Sequence, residues 1–380
     1  MLLALLSGLV EDSNGDPVAG ARVNAFGLEV YTDQSGLFTL EISVPALVTV
    51  EKPGWTQTET KWEDSSELVR TVIDPLRIRG LRVGAEAARD DASFDHLLEL
   101  ADKSAVNAFV FDTKQQGGRV LYETSVDEAH AIDAVEPLYN PANRINQAHE
   151  HGLYAITRLV VFEDLHRVRA HPEEKLAGAW IDPRSLPAWQ YNIDLAIEAC
   201  AIGFDEIQFD YVRFPAGRTA QVTGQLGLTS EERLAATEGF LAAAREVLIP
   251  MGCAVSADVF AIVVSVSDDQ GLGQRPEELS RQLDALSPMV YPSHYSLGWL
   301  GFPDPNDHPY EVTADAIDDA LPRLAPGTVL RPWLQAFWWR NVQIRSSIQA
   351  AEDRGVGWIL WNARSNFDLE ALPSDDEVDA

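Results

Sequence analysis

Two aspartates each end an alternating run of the kind that forms a β-strand. The run DEIQFDYVRFP ends around Asp210, and the run CAVSADVF ends in Asp258. Alternation places Asp210 on the polar face of its strand, and Asp258 on the same face as Ser256. Two carboxyl groups that converge on one cavity can divide the acid and base roles that cleavage of a glycosidic bond requires. The pattern predicts a catalytic pair at Asp210 and Asp258 that needs no metal or other cofactor.

Other polar and aromatic residues stand at the ends of neighbouring runs, where a substrate would lie. We expect substrate contacts from nine of them: Asp112, Lys114, Arg213, Tyr291, His294, Trp333, Gln335, Trp361 and Asn362. Structural alternatives stay open for several. Asp112 and Lys114 can form an ion pair, Arg213 can clamp Asp210 or anchor a loop, and a lone His294 is often structural. Glu206 is expected to be an ion-pair partner inside the barrel, and Trp358 or Trp339 to belong to the core.

The elements that would position these residues alternate between apolar runs and amphipathic helices. Eight apolar runs occur in about 300 residues, which predicts an α/β fold, a (β/α)8 TIM barrel. A doubly wound sheet is the competitor, but no G-x-G-x-x-G joins a first strand to a helix. A capping box at Thr229–Glu232 opens one of the helices. The predicted strands are 78–83, 107–112, 154–161, 206–212, 254–260, 287–291, 329–335 and 356–361.

The first 75 residues follow a different plan, with short β-runs and turns but no helical period. Turn sequences stand at 14–17 and 33–36. This predicts a small all-β sandwich. The segment resembles the carboxypeptidase regulatory-like domain, whose pattern is matched by GLVEDSNGDPVAGARV and TDQSGLF. We therefore expect a sandwich over 1–75, a barrel over 76–370 and a disordered acidic tail over 371–380.

Composition excludes several classes of partner. The chain has 380 residues, with 29 Lys and Arg against 59 Asp and Glu, and a formal net charge of −30. Such acidity argues against nucleic acid and anionic membranes as partners, and no apolar run approaches the roughly 18 residues that would span a bilayer. Cys200 and Cys253 lack metal-binding spacing, and we expect two small buried hydrophobic side chains. MLLALLSG is expected to enter a strand rather than act as a signal peptide, so the sequence leaves location open, as it does oligomeric state.

A family resemblance rests on several blocks in the second half of the chain. FDEIQFDYVRFP, VSADVF, SPMVYPSHY, RPWLQ and GWILWNA, with NAFVFDTKQQGGRVLYETSV upstream, are similar to the putative glycosyl hydrolase domain family of bacteria. The resemblance covers about 78–367 and implies a TIM barrel related to glycoside hydrolases. The strand-four aspartate also resembles the nucleophile of α-amylase-type barrels, which implies Asp210 as nucleophile and Asp258 as acid/base. The chain departs from that pattern at Gln208, where those enzymes have Arg, and at Asp258, where they have Glu.

Three functions remain open on the sequence. The first is a glycoside hydrolase acting on an oligo- or polysaccharide, and the second is a carbohydrate-binding or cell-surface protein that keeps the barrel without the chemistry. The third is a metal-dependent lyase or isomerase, because Asp164, Asp210 and Asp258 end three successive strands. The sugar, the linkage, endo or exo action and the stereochemical outcome do not follow from the sequence.

Overall fold

A computed structural model describes residues 3–43, 45–63, 68–217 and 220–378. The chain forms two compact units, residues 1–76 and 77–380. In the described part of the chain, no helix is long and apolar enough to cross a membrane.

The first unit contains two small sheets, consistent with the predicted sandwich. β1 lies between β4, which is antiparallel to it, and β7, which is parallel, while the second sheet has the order β3-β2-β5-β6. Alternate side chains from both sheets are buried together, among them Val10, Val23 and Val48. The resemblance to a carboxypeptidase regulatory-like domain stays a prediction. The strands are β1 (Leu3–Glu11), β2 (Arg22–Ala25), β3 (Leu28–Tyr31), β4 (Leu37–Ser43), β5 (Ala46–Glu51), β6 (Thr58–Trp62) and β7 (Val69–Val72).

Gly36 shows why a turn of this unit requires glycine. Its φ is +70°, and a Cβ atom there would lie 2.3 Å from the carbonyl oxygen of Val10. Asp33 closes the same turn by accepting hydrogen bonds from the backbone N–H groups of Ser35 and Leu37. The turn predicted at 33–36 is therefore confirmed.

The second unit is a closed parallel barrel, as predicted. Neighbouring barrel strands pair in parallel from β8 round to β18, and β18 pairs with β8 to close the ring. The seventh position is shared by β16 and β17, which pair with the same strand on either side of Arg331 and Pro332. All eight predicted runs coincide with these strands. They are β8 (Arg79–Val83), β9 (Ala108–Lys114), β10 (Tyr154–Val160), β13 (Glu206–Asp210), β14 (Ala254–Phe260), β15 (Ala285–Val290), β16 (Val329–Leu330), β17 (Trp333–Gln335) and β18 (Trp358–Trp361).

Helices cover the outside of the barrel, and a short hairpin of β11 (Lys175–Ala177) and β12 (Trp180–Ile181) lies after β10. The predicted capping box is present, since Thr229 Oγ1 accepts from Glu232 N at 3.2 Å and Glu232 Oε2 accepts from Thr229 N at 2.8 Å. The helices are α1 (Ala85–Arg89), α2 (Asp91–Asp102), α3 (Asp127–Ala131), α4 (Pro141–Glu150), α5 (Leu165–Ala170), α6 (Leu186–Ile202), α7 (Ala220–Gln225), α8 (Ser230–Leu248), α9 (Ile262–Ser265), α10 (Pro276–Leu279), α11 (Pro309–Ala320), α12 (Asn341–Glu352) and α13 (Asp375–Val378).

Two expectations are corrected in this unit. Cys200 and Cys253 are not separate thiols but form a disulfide with a Cα–Cα distance of 6.0 Å. Parallel pairing of β13 with β14 sets Ala254 opposite Glu206, which places Cys253 beside the C-terminal end of α6, where Cys200 lies. The tail expected to be disordered over 371–380 is structured as far as residue 378, because Leu372 packs into the core and Glu377 pairs with Arg345 at 2.8 Å.

Candidate active site

Charged side chains line the interior of the barrel on five neighbouring strands. They are Arg82 on β8, Asp112 on β9, Arg158 on β10, Asp210 on β13 and Asp258 on β14, and each is at least nine-tenths buried. The sign of the charge alternates from Arg82 to Asp210, and Asp258 adds a further acidic group beside Asp210. Since a buried charge is tolerated only with a partner, these groups must be treated as one network.

Arg158 is the centre of this network. Its Nε and Nη2 donate to Asp210 Oδ2 at 2.8 and 2.5 Å, and its Nη1 donates to Asp112 Oδ1 at 3.1 Å. The same Nε lies 3.8 Å from Asp258 Oδ2. Arg82 holds the other oxygen of Asp112. The two predicted catalytic carboxyl groups therefore both face the guanidinium of Arg158, as the alternation along β13 and β14 predicts.

Asp258 is held in an environment that favours its neutral form. Trp333 Nε1 donates to Asp258 Oδ1 at 2.7 Å, whereas Oδ2 has no hydrogen-bond partner among the described residues. Burial, and then the negative charge of Asp210, raise the pKa of Asp258 well above its ordinary value, against the opposing effects of Arg158 and Trp333. Asp258 therefore retains its proton to higher pH than an ordinary aspartate.

Asp210 has the opposite environment. Besides the two bonds from Arg158, its Oδ1 accepts from the backbone N–H of Tyr211 at 2.6 Å. Tyr211 adopts the left-handed backbone conformation, with φ at 58°. This conformation is rare for an aromatic residue, and residues that adopt it cluster at functional sites. Hydrogen bonds to both oxygens stabilise an ionised carboxylate. Asp210 therefore differs from Asp258 in having hydrogen-bond donors at both oxygens, including a charged one.

The deeper layer of the barrel is a separate polar cluster. Glu206 pairs with Arg331 across the barrel and accepts a hydrogen bond from Ser256. One layer higher, Gln208 donates to Ser287 at 3.2 Å. Glu206 is thus an ion-pair partner, as expected. These contacts fill the centre below Asp210 and Asp258, so a substrate would reach the pair from the C-terminal ends of the strands.

Aromatic rings stand beside the charged network. Trp361 contacts Arg82 and Arg158, with ring-centre distances of 4.4 and 4.9 Å, and its ring meets that of Trp333 at 5.3 Å. Tyr291 lies close enough to Asp258 and Asp210 for their charges to add to burial in raising its pKa. Trp358 is fully buried and donates to Glu352, as expected for a core residue. Trp333, Trp361 and Tyr291 are the predicted contacts that the structure groups with the aspartates.

Lys114 does not pair with Asp112. The β9–β10 register shifts between Arg158 and Leu159, so that Leu159 pairs with Lys114 and Thr113 is left out. The bulge turns Lys114 away from Asp112. Its Nζ lies 2.8 Å from a carboxylate oxygen of Asp164, at the start of α5, and 2.9 Å from the side-chain oxygen of Asn192 on α6. Lys114 therefore belongs to a buried structural pair outside the barrel centre.

Four further predicted contacts lie around the mouth. Gln335 accepts from Ser293 N at 3.1 Å and donates to the Phe337 carbonyl, and Asn362 donates to the Ala336 carbonyl at 2.7 Å, so both brace loops. His294 is exposed on the rim, where its ring meets those of Tyr291, Phe337 and Trp338. Arg213 lies among aromatic rings and makes no bond to Asp210 among the described contacts, so it does not clamp that carboxylate.

A metal at Asp164, Asp210 and Asp258 finds no support in the geometry. Asp164 caps α5 by accepting from Arg167 N at 2.8 Å and is paired with Lys114. In the described ranges, the one group of three whose potential ligand atoms lie within 4.8 Å of one another is His171, Glu173 and Glu174. There Glu174 is already paired with Arg167, and His171 with Glu128.

Arg82 and Arg158 are site residues that the sequence analysis did not single out. Each is an arginine inside an apolar strand, RGLRV and YAITRLV, with the parity of the inward-facing positions. A charge at such a position can be buried only with partners, which is the signal that identifies them.

Comparisons with known proteins agree with this architecture. A family model described as a putative glycosyl hydrolase domain matches residues 80–367. No curated protein matches the chain. A hypothetical protein from Ruminiclostridium thermocellum is 32% identical over 47% of this chain and 97% of its own, with a TM-score of 0.41. Alpha-L-fucosidase isoenzyme 2 from Paenibacillus thiaminolyticus is 14% identical with a TM-score of 0.52, over 78% of this chain and 48% of that one. The Bacillus megaterium spore cortex-lytic enzyme SleL is 10% identical with a TM-score of 0.50, over 78% and 73%.

Proposed function

Because the chain belongs to the putative glycosyl hydrolase domain family, we propose that its barrel cleaves glycosidic bonds in an oligo- or polysaccharide with Asp210 and Asp258. The observation that carries the proposal is the contrast between two carboxyl groups that share Arg158: Asp210 accepts hydrogen bonds at both oxygens, whereas burial raises the pKa of Asp258. Glycoside cleavage needs one carboxyl group that donates a proton and one that acts as nucleophile or base, on opposite sides of the scissile bond.

Asp258 is the general acid in this proposal. Its Oδ1 is fixed by Trp333, and the unbonded Oδ2 can carry the proton towards the glycosidic oxygen. The raised pKa helps Asp258 to keep that proton until the bond to the leaving group weakens. When the proton has been transferred, the new carboxylate is stabilised by the nearby Arg158.

Asp210 is the nucleophile or base in this proposal. Arg158 and the Tyr211 backbone N–H bind its two oxygens and fix its orientation. It attacks the anomeric carbon directly in a retaining mechanism, or activates a water in an inverting one. The anomer formed first, observed by proton NMR, distinguishes the two.

A non-catalytic carbohydrate-binding barrel is the second candidate, and one observation favours it. Asp210 and Asp258 are only 3% and 1% exposed, and each already has a partner inside the protein. Such a network can serve stability alone. Glycan binding without any product after long incubation would support this function.

The test uses the full chain and a panel of polysaccharides, with release of reducing ends as the readout. Asp210→Asn and Asp258→Asn should each abolish release while the far-ultraviolet circular dichroism and the melting temperature show a folded protein. Asp95→Asn is the matched control, because Asp95 is exposed on α2, one of the helices outside the barrel. Unchanged turnover by Asp210→Asn would refute the proposed mechanism.

A further inference from the structure

Arg213 occupies an unusual position at the catalytic end of the barrel. It follows Asp210 by three residues, and its guanidinium carbon lies 4.3 Å from the ring centre of Phe260, 4.5 Å from that of Trp180 and 4.9 Å from that of Tyr211. These rings come from the ends of β14 and β13 and from the β11–β12 hairpin. All three are half-buried, so the enclosure that they form reaches the surface.

Most of the donors of this guanidinium are unused. Arginine carries five N–H donors, and Arg213 makes one described hydrogen bond, from Nη1 to the carbonyl oxygen of Phe214 at 3.1 Å. Its Nε is buried without a partner. The side chain is 6% exposed and forms no salt bridge with a described carboxylate. Burial of an unpaired cation costs several kcal/mol, and cation–π contacts return only part of that.

The acidic groups around Arg213 are engaged elsewhere. Asp210 is bonded to Arg158 and Tyr211 N, and Glu163 accepts from the Gly117 backbone N–H at 2.7 Å. Neither Asp210 nor Glu163 forms a described hydrogen bond with Arg213, so its unused donors are not matched by an acid among the described residues.

We propose that Arg213 binds a carboxylate of the substrate, so that the barrel acts on glycans that contain uronic acids. This inference rests on the proposed glycoside hydrolase function and adds the substrate class. The free Nε edge of a guanidinium matches a planar carboxylate in a two-bond arrangement. The surrounding rings fix the position of the guanidinium. Arg213 thereby selects the substrate, and Asp210 and Asp258 perform the cleavage.

The experiment compares each glycan with its own carboxyl-reduced form, which differs only in carrying CH2OH in place of the carboxylate. The probes are oligogalacturonate, heparosan and hyaluronan fragments and their reduced forms. A sulfated glycan without carboxyl groups is a further arm. Calorimetry uses the full chain carrying Asp258→Asn, which keeps the charge of the protonated acid but does not consume the glycan. Hydrolysis is measured with the unmodified chain.

At least one carboxylated glycan should bind about tenfold or more tightly than its reduced form, the range of a hydrogen bond to a charged group. Arg213→Gln should remove this preference. Arg213→Lys, which keeps the charge but loses the planar fork, should retain a reduced preference, and it decides the matter if Arg213→Gln does not fold. Arg169→Gln, on an exposed arginine of α5, should leave the preference unchanged.

The outcomes separate this inference from the proposed function. Cleavage of neutral glycans without carboxylate preference keeps the hydrolase and overturns the role of Arg213. Carboxylate-selective binding without cleavage by the unmodified chain supports Arg213 and refutes the hydrolase. Tighter binding of the sulfated glycan, or no binding of any carboxylated probe, overturns the assignment of Arg213 to sugar carboxylates.

Discussion

Arg158 directs two of its nitrogens at a single oxygen of Asp210, at 2.8 and 2.5 Å. The third nitrogen is bonded to Asp112, and Asp258 lies 3.8 Å away, so this one cation faces three carboxyl groups. Arg158 therefore does two things. It is the positive partner of the buried Asp210, and it reduces the repulsion among the three carboxyl groups.

Replacement of Arg158 tests the first of these consequences. Arg158→Met should reduce the free energy of unfolding by about 3–5 kcal/mol, because it leaves buried carboxylates without their partner. Arg158→Lys should be less damaging, since it keeps the charge but not the fork. Urea denaturation at neutral pH measures both. The same substitution at the exposed Arg169 provides the control, and a loss of stability at Arg158 no larger than at Arg169 would contradict the network.

Asp258→Asn should affect substrates according to their leaving group. A natural glycan needs a proton on its departing oxygen, so its cleavage should fall by about 10²–10⁴-fold. A dinitrophenyl glycoside of the same sugar leaves as a stable anion and should lose far less. Steady-state kinetics on the two substrates measures the difference. Asp210→Asn is the comparison, because activity lost there should not return with the better leaving group; equal losses on both substrates with Asp258→Asn would exclude it as the acid.

Trp333→Phe should change the pH dependence in a defined direction. The Trp333 hydrogen bond stabilises ionised Asp258 and so lowers its pKa, although burial and Asp210 raise that pKa by more. Without this bond the pKa of Asp258 rises further. The acid then stays protonated to higher pH, and the alkaline limb of the pH profile of kcat/KM moves to higher pH.

The control for this shift is another buried tryptophan on the adjacent strand. Trp358→Phe also removes an indole N–H donor, but its acceptor is Glu352, at the C-terminal end of α12. That variant should lose stability without moving the alkaline limb. A limb that stays in place or moves to lower pH in Trp333→Phe would show that Asp258 is not the group that titrates.

The sequence was sufficient to place Asp210 and Asp258 because alternation along a strand fixes the face of each residue, and strand ends meet at one side of a barrel. The same rule failed for Lys114, since a single bulge at Thr113 changes the face and leaves no mark in the pattern of residue types. Arg82 and Arg158 could have been found as charges within apolar strands. Their connection to particular aspartates depends on side-chain length and direction, which only the folded barrel determines.

The pairing of Cys200 with Cys253 likewise could not be predicted, because it depends on the register between β13 and β14, which brings together residues 53 apart in sequence. A cross-link of that span should contribute about 4 kcal/mol to the free energy of unfolding by restricting the unfolded chain. Urea denaturation with and without a reducing agent measures this contribution. The double variant Cys200→Ala with Cys253→Ala should match the reduced protein and be insensitive to the reductant. Disulfides persist mainly in oxidising compartments. Equal stability of the oxidised and reduced chains would show that the cross-link contributes nothing to this fold.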